Sequence, residues 1–324
     1  MTSTVFAYPV SPTPTAGDGL VSPQGFPFYC DPVNGSDGAE GNQINASLKT
    51  LTEAYSRCVS GRGDVVYLLN NGLSTGTARL ASLLTWAKNN THLVGLCAPS
   101  QLSQRARISH SATAGIGFPL LFKVAAAGCT FQNLQWFQGY AVDEDQTCLE
   151  LTSAAQRCVF SNCHIAGMGA ALPAARAGSM TLKLGGAENV FQGCTIGLDT
   201  ESRTAANSEV VVTVGLRNIF RDCLFPTFAG NAGHLFLSAA NGTIDRWLLM
   251  QRCIFINAIQ STATAMTSAL SVGSAMGGMV ILDGCSLYGA TYWVGADTAK
   301  VMLIGAPGAA NSQLIGIGLT ADKP

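Results

Sequence analysis

The fold is decided by a short motif that recurs along the chain as FSNCHI (160–165), FQGCTI (191–196) and FRDCLF (220–225). Each copy has a large apolar residue three positions before a cysteine and another two positions after it. A repeat of about 30 residues is typical of a solenoid, in which each unit stacks on the one before it. The cysteines of the repeat follow one another at near-constant intervals and are Cys129, Cys163, Cys194, Cys223, Cys253 and Cys285.

The residue before each cysteine explains the spacing of the motif. Residues three apart on one flat strand face opposite sides, so the two apolar side chains need a bend between them to share an interior. A single left-handed residue supplies that bend, and small or short polar residues tolerate it best. The sequence therefore predicts a buried file of cysteines, each filling a tight corner as a small apolar residue. Five of the six preceding positions fit, namely Gly128, Asn162, Gly193, Asp222 and Gly284.

A second short strand precedes each corner, and loops of variable length rich in Ala, Gly, Ser and Asn join the two. Two strands per coil without helical periodicity predict an all-β fold, a single right-handed parallel β-helix of about seven coils across residues 111–324. The predicted second strands are Leu120–Val124, Cys148–Leu151, Thr181–Leu184, Val210–Val214, His234–Ser238 and Ala269–Val272.

Residues 29–110 have a different organisation and are predicted to form a capping region and the first coils. Apolar residues fall at helical spacing between Ser47 and Val59, with Ser47 as the predicted N-cap and Gly61 beyond the end. Such a helix would cover the open end of the solenoid, where the first coil exposes unpaired backbone. Two segments, 63–69 and 92–97, are predicted to be the first strands, and 77–88 is ambiguous between helix and strand.

Residues 1–28 are predicted to be an extended arm. They hold five of the twelve prolines, which remove backbone donors and disfavour helix. Apolar side chains between the prolines have no periodic core to join, so the arm is predicted to dock on a partner. The predicted anchors are Phe6, Tyr8, Val10, Phe26 and Phe28.

The composition restricts the partners. Charged residues make up only 11% of the chain against 48% hydrophobic residues, and the net charge is −1. This balance argues against a nucleic-acid partner. No run approaches the roughly 20 apolar residues that span a bilayer, and the N-terminus does not resemble a signal peptide. A chain so poor in charge is predicted to hide surface in a homotrimer, because threefold closure leaves no open edge.

Three segments carry a family resemblance: YCDPVNGSDG (29–38), SLKTL (47–51) and GDVVY (63–67). Their order resembles the opening of pectate-lyase-like β-helix proteins, which are common among bacteriophage virion components. The resemblance implies a protein of the virion, assembled in the host cytoplasm and bound to the major capsid protein or another virion component. It implies the fold more strongly than any activity.

No catalytic motif is recognisable. The clustered aspartates of pectate lyases and the paired aspartates with Gly-His-Gly of polygalacturonases are both missing, because the only Gly-His pair is Gly233-His234. The acidic residues best placed for glycoside cleavage lie on predicted loops. The sequence predicts solvated turns there, and neither an enzyme nor a bound cofactor or metal. The acidic candidates are Asp143, Glu144, Asp145, Asp199 and Glu201.

The four tryptophans leave two interpretations open. They could form a face that stacks on carbohydrate, or fill wide coils and subunit contacts, which we favour. The predicted function is a non-enzymatic virion structural protein, capsid-decorating or head-associated. The alternative is a tailspike-like protein that binds a receptor or cleaves polysaccharide. The tryptophans are Trp86, Trp136, Trp247 and Trp293.

Overall fold

The computed structural model describes residues 25–97, 106–111, 117–257, 263–295, 298–305 and 319–320. The chain forms a right-handed parallel β-helix, as predicted. Each coil adds one strand to each of three sheets, here named A, B and C in the order in which the chain visits them. The prediction of two strands per coil is therefore wrong, because the chain turns at a second left-handed corner that the motif does not reveal.

Sheet A holds the first part of the cysteine motif. Its strands pair in parallel and in register, except for the last, which is antiparallel to its neighbour. The strands of sheet A are β1 Pro27–Cys30, β2 Val65–Leu69, β5 His92–Leu96, β8 Thr130–Gln132, β11 Val159–Ser161, β14 Val190–Gln192, β17 Asn218–Arg221, β20 Trp247–Gln251, β23 Met279–Asp283, β26 Val301–Ile304 and β27 Leu319–Thr320.

Sheet B follows directly after the corner and holds the second part of the motif. The ambiguous segment 77–88 contributes its first strand here and another strand to sheet C. The strands of sheet B are β3 Ala78–Leu80, β6 Ala106–His110, β9 Leu134–Phe137, β12 His164–Ala166, β15 Thr195–Ile196, β18 Leu224–Thr227, β21 Ile254–Asn257 and β24 Ser286–Tyr288.

Sheet C contains the six second strands that the sequence predicted, most of them longer than predicted, and two further strands at its ends, the first and the last of the sheet along the chain. The strands of sheet C are β4 Leu84–Trp86, β7 Leu120–Val124, β10 Thr147–Gln156, β13 Met180–Ala187, β16 Ser208–Leu216, β19 Leu235–Ala239, β22 Met266–Val272 and β25 Ala290–Val294. The helical elements are short: α1 Leu51–Arg57, α2 Ala171–Ala174 and 3₁₀ turns at Ile44–Ala46, Ser74–Gly76 and Thr298–Lys300. None of the helices in the described ranges could cross a membrane.

A ladder of phenylalanines fills the interior beneath sheet A. Phe131, Phe160, Phe191 and Phe220 occupy the same position on successive strands, because in-register parallel pairing superposes equivalent residues. Their rings stack face to face with centroids 4.8, 4.6 and 4.6 Å apart, and all four are fully buried. The aromatic column therefore runs through four successive coils, and Met250 and Leu282 occupy the same position in the next two.

The corner from sheet A to sheet B has the left-handed residue that the spacing requires. Backbone φ is +50° at Asn162, +59° at Gly193, +54° at Asp222 and +63° at Gly284. Arg252 adopts the same conformation at +51°, although arginine does not favour it. The cysteines that follow these five residues are buried in one file.

Cys129 does not belong to this file. Strands β8 and β11 pair with Phe131 opposite Phe160, which places Asn133 beside Asn162 and Leu134 where the later coils have cysteine. Asn133 has a φ of +56° and is the true corner residue of its coil. Gly128 is also left-handed, at +68°, but lies at the other corner, between sheets C and A. The interval from Cys129 to Cys163 is the longest of the repeat. It is longer because Cys129 follows the corner between sheets C and A, whereas Cys163 follows the corner between sheets A and B.

The corner from sheet C to sheet A is a second left-handed turn that the sequence did not predict. Asn90, Gly128, Arg157, Glu188 and Arg217 have φ between +49° and +68°. Three of these are long charged residues, which are uncommon in this region of backbone space. They form an ion-pair ladder on the surface, with Glu188 accepting from Arg157 at 2.9 Å and from Arg217 at 2.6 Å.

Helix α1 lies over the first coils, as the sequence predicted, but begins later. Its N-cap is Thr50, whose hydroxyl accepts the Glu53 N–H, rather than Ser47. The Tyr55 ring stacks on Trp86 with centroids 4.3 Å apart. Lys88 donates to the carbonyls of Tyr55, Ser56 and Cys58 at the end of the helix, so one lysine satisfies acceptors that the last turn leaves free.

Candidate functional site

The connections from sheet B to sheet C are the long ones. In the middle coils they span 138–146, 167–179, 197–207 and 228–234, whereas the corner from A to B in the same coils takes one or two residues. Because all of them leave the rod on the same side, we name this surface the B–C edge. Variable loops on a rigid frame are where proteins place binding and catalytic residues, so this edge is the first candidate for a site.

Two of the predicted carboxylates meet one arginine on the B–C edge. Arg176 lies 3.6 Å from Asp143 and 3.7 Å from Asp145, and both acids are more than half exposed. Asp145 also accepts the Gly178 N–H at 3.2 Å, which ties one loop to the next. Glu144 is exposed in the same loop, while the remaining two acidic candidates, Asp199 and Glu201, lie half-buried in the loop 197–207.

A fully buried polar cluster lies beneath these loops. Arg203, Glu209 and His234 are 0–1% exposed. The Glu209 carboxylate lies 3.7 Å from Arg203 Nε and 3.3 Å from His234 Nε2. It also accepts the hydroxyls of Thr227, at 2.9 Å, and of Thr181. Each carboxylate oxygen is therefore hydrogen-bonded, which a buried charge requires.

Asn207 links the same cluster to the loops. Its amide nitrogen donates to the carbonyls of Ala174 at 3.2 Å and Arg176 at 2.8 Å. The amide oxygen consequently faces the other way, 2.8 Å from His234 Nδ1 and 3.1 Å from Arg203 Nε. One side chain thus joins the loop 167–179, the loop 197–207 and the start of β19.

The electrostatics keep the cluster in one protonation state. Burial alone raises the pKa of Glu209, but the charge of Arg203 and hydrogen bonds from His234 and Thr181 outweigh it and lower that pKa to about 2. Burial lowers the pKa of His234 and of Arg203. Glu209 is therefore ionised and paired with the arginine. The cluster anchors the B–C edge and is too deeply buried to touch a ligand itself.

No pattern in the sequence predicts this buried cluster. Glu209 is an acid in the strand SEVVVTVGL (208–216), where an ionisable group among valines signals either a strand end or a buried pair. In the sequence, His234 is notable only as part of the Gly233-His234 pair. Their partners come from different coils, so no local motif joins them.

The other predicted site residues have varied surroundings. Trp86, Trp136 and Trp293 are buried in the interior, where they cannot stack on carbohydrate, and Trp247 is partly exposed on sheet A.

Of the predicted anchors of the arm, Phe28 lies in β1 and packs against the core. Phe26 is 59% exposed with the Arg62 guanidinium 4.6 Å from its ring centre. The remaining predicted anchors, Phe6, Tyr8 and Val10, fall outside the described residues.

Within the described ranges, no group of three or more His, Cys, Asp or Glu side chains is arranged to hold a metal ion. Ten of the eleven cysteines are buried, and burial raises the pKa of Cys223, which disfavours the thiolate that a soft metal would need.

The outer face of sheet A is a second candidate surface. One of its outward rows is apolar through six consecutive coils, and every member is partly exposed. The equivalent outward row of sheet C carries an ion-pair ladder, in which Glu150 contacts Lys123 and Lys183. The apolar row, here named the sheet A stripe, consists of Val159, Val190, Ile219, Leu249, Ile281 and Met302.

Comparison with solved structures identifies the fold in known proteins. A pectin methylesterase mutant crystallised with a hexasaccharide matches with a TM-score of 0.59 at 14% identity, over 88% of this chain and 92% of that one. A rhamnogalacturonan lyase matches at 0.59 and 14%, over 82% and 68%. The ORF18 protein of Geobacillus virus E2 matches at 0.50 and 17%, over 87% of this chain and 57% of that one. No protein-family model matches the sequence. No curated protein matches it either.

These structures correct one prediction. The sequence predicted a protein without enzymatic activity because no catalytic motif is recognisable. Pectin methylesterases and pectate or rhamnogalacturonan lyases share this fold, at 14–16% identity. The lack of a recognisable motif is therefore no ground for excluding an enzyme, and the prediction is withdrawn.

Proposed function

We propose that this protein is a structural component of a bacteriophage virion, at the capsid, that assembles as a homotrimer of parallel rods. The sheet A stripe is the observation that carries the proposal. Parallel rods in register would bring identical rows together at a threefold axis and remove them from water. The low share of charged residues and the phage protein among the structural matches also support it.

Light scattering tests the assembly. At micromolar concentration we expect three times the 33.6 kDa monomer mass. An Ile219→Asp variant places a charge in the middle of the stripe, where it would lose its hydration in the trimer, and is expected to give the monomer mass. The matched control is Val211→Asp, on the outward face of sheet C beside Lys183, which should remain trimeric.

Association with the particle is measured with the same proteins. The wild type and Val211→Asp should cosediment with virions that lack the protein, and Ile219→Asp should not. The proposal is contradicted if light scattering gives the monomer mass for the wild type, or if Val211→Asp dissociates to the same extent as Ile219→Asp.

A second candidate function, cleavage of a polysaccharide, is favoured by Asp143 and Asp145. Hydrolysis of a glycosidic bond uses two carboxyl groups roughly 5–10 Å apart, and the shared contact with Arg176 keeps these two acids within about 10 Å of each other. Both are exposed on the B–C edge, where a polymer could lie across successive loops. The polysaccharide-active enzymes among the structural matches support this candidate through the shared fold alone.

The cleavage assay measures reducing ends released from bacterial surface polysaccharides. Asp145→Asn removes a carboxylate while preserving its size, and should lower the rate by about a hundredfold or more if that group acts as acid or base. Asp245→Asn is the matched control, because Asp245 is also exposed and pairs with an arginine but lies elsewhere on the rod. Equal rates for both variants, or no release by the wild type, would exclude this candidate.

A further inference from the structure

The first coils carry an uncompensated positive charge. No Asp or Glu occurs between Asp64 and Asp143, although the whole chain has a net charge of −1. The same stretch contains five cations, which are Arg79, Lys88, Arg105, Arg107 and Lys123. Neighbouring coils supply a carboxylate to Lys123, and helix α1 supplies carbonyls to Lys88. Of the remaining cations, Arg79 and Arg107 lie on sheet B.

Arg79 and Arg107 lie on the outward face of adjacent strands, β3 and β6. The strands pair with Arg79 opposite Ser109, so Arg107 is the next outward residue along its strand. Neither arginine forms an ion pair with an acid in the part of the chain that the structure describes, whereas most other described arginines do. Burial and the charge of Arg79 lower the pKa of Arg107, which shows that the two positive charges repel each other.

The two guanidinium groups are held in place while donors remain available. Arg107 Nε donates to Gln135 at 2.7 Å, and its guanidinium carbon lies 5.1 Å from the centre of the Phe137 ring. Arg79 donates one bond to the His110 carbonyl at 3.2 Å. A guanidinium has five N–H donors, and among the described residues no acid pairs with either arginine.

Aromatic rings border the same patch. Phe137 and Tyr140 are half-buried, and the Tyr140 ring packs edge-on against His110 with centroids 5.4 Å apart. Planar arginine forks bind carboxylate, sulfate and phosphate oxygens, and aromatic rings cover the apolar faces of sugars. Nucleic acid fits less well, since its binding relies on many phosphate contacts.

We propose that Arg79 and Arg107, bordered by Phe137 and Tyr140, form a binding site for an anionic saccharide. One acidic group of the ligand lies between the two guanidinium groups and pairs with both. The adjoining sugar ring contacts the aromatic pair. The site lies on a different part of the rod from the sheet A stripe and does not depend on trimer formation or on cleavage.

Calorimetric titration of the full chain tests the site with three probes of similar length: a mannuronate oligomer, a sulfated dextran and neutral dextran. We expect one or both anionic probes to bind and neutral dextran not to bind. Arg79→Gln and Arg107→Gln should each weaken binding about tenfold, the usual loss for a charge-assisted pair. Arg246→Gln, an exposed arginine with its own acid, should bind as the wild type does.

Arg79→Glu is a further variant that should remain folded, because Arg79 is exposed and the new carboxylate would pair with Arg107. It should abolish binding without lowering the unfolding temperature. Binding of the mannuronate alone or the sulfate alone identifies the acidic group. Three outcomes overturn the proposal: no anionic probe binds, Arg79→Gln binds as tightly as Arg246→Gln, or single-stranded DNA binds more tightly than either saccharide.

Discussion

A Phe191→Ala variant is expected to unfold with a free energy lower by about 3–5 kcal/mol, the cost of removing a fully buried phenyl ring. Phe191 stacks between Phe160 and Phe220 at 4.6 Å on both sides. Coils on either side hold the neighbouring rings at a spacing fixed by backbone hydrogen bonds, so the cavity cannot collapse. The measurement is the shift of the urea midpoint, followed by circular dichroism.

The control is Phe26→Ala, since that ring is 59% exposed. Its removal should change the free energy of unfolding by only about 0.5 kcal/mol. Equal shifts for Phe26 and Phe191 would contradict the prediction, because they would show that a ring in the buried column stabilises the fold no more than an exposed ring does.

A Glu209→Gln variant is expected to lose about 3–5 kcal/mol of stability, because it leaves the Arg203 charge buried without its partner. The shape of the side chain is unchanged, so the loss is electrostatic. The loops 167–179 and 197–207 should become sensitive to protease in this variant, since the cluster joins them. Glu188→Gln is the control: its two arginine partners are on the surface and its effect should be much smaller.

The same cluster gives the stability a pH dependence. The pKa of Glu209 lies at about 2 in the folded protein, below its ordinary value of 4.5, so its contribution is complete above pH 4.5 and disappears as the pH falls toward 2. Burial lowers the pKa of His234, which acts in the same direction below its ordinary value of 6.5. Glu209→Gln should lack the loss that the wild type shows as Glu209 is protonated. A variant that follows the wild-type pH profile would contradict the pairing.

Some of this architecture could be read from the sequence because in-register stacking puts the same residue type at the same place in every coil. The recurrence of Phe160, Phe191 and Phe220 marks equivalent inward positions, and the residue types at Asn162 and Gly193 mark the first bend, although the stacking of the rings was not predicted. The second bend left no such sign, because Arg157, Glu188 and Arg217 are stabilised there by pairing with one another rather than by backbone preference.

The candidate sites were harder to predict for a related reason. Asp143 and Arg176 lie one coil apart along the chain, so the repeat length could have paired them. Glu209 finds Thr181, Thr227 and His234 through loops whose lengths vary from coil to coil, and sequence spacing says nothing about such contacts. Arg79 and Arg107 lie 28 positions apart in the sequence, and only the pairing of β3 with β6 shows that they are neighbours on sheet B.

The central claim, a trimeric component of the phage capsid, is tested most directly by electron microscopy of native particles labelled with an antibody against this chain. We expect label over the shell and, in averaged images, rods in groups of three with sheet A turned toward the threefold axis. Label confined to the tail, single rods, or particles without label would contradict it.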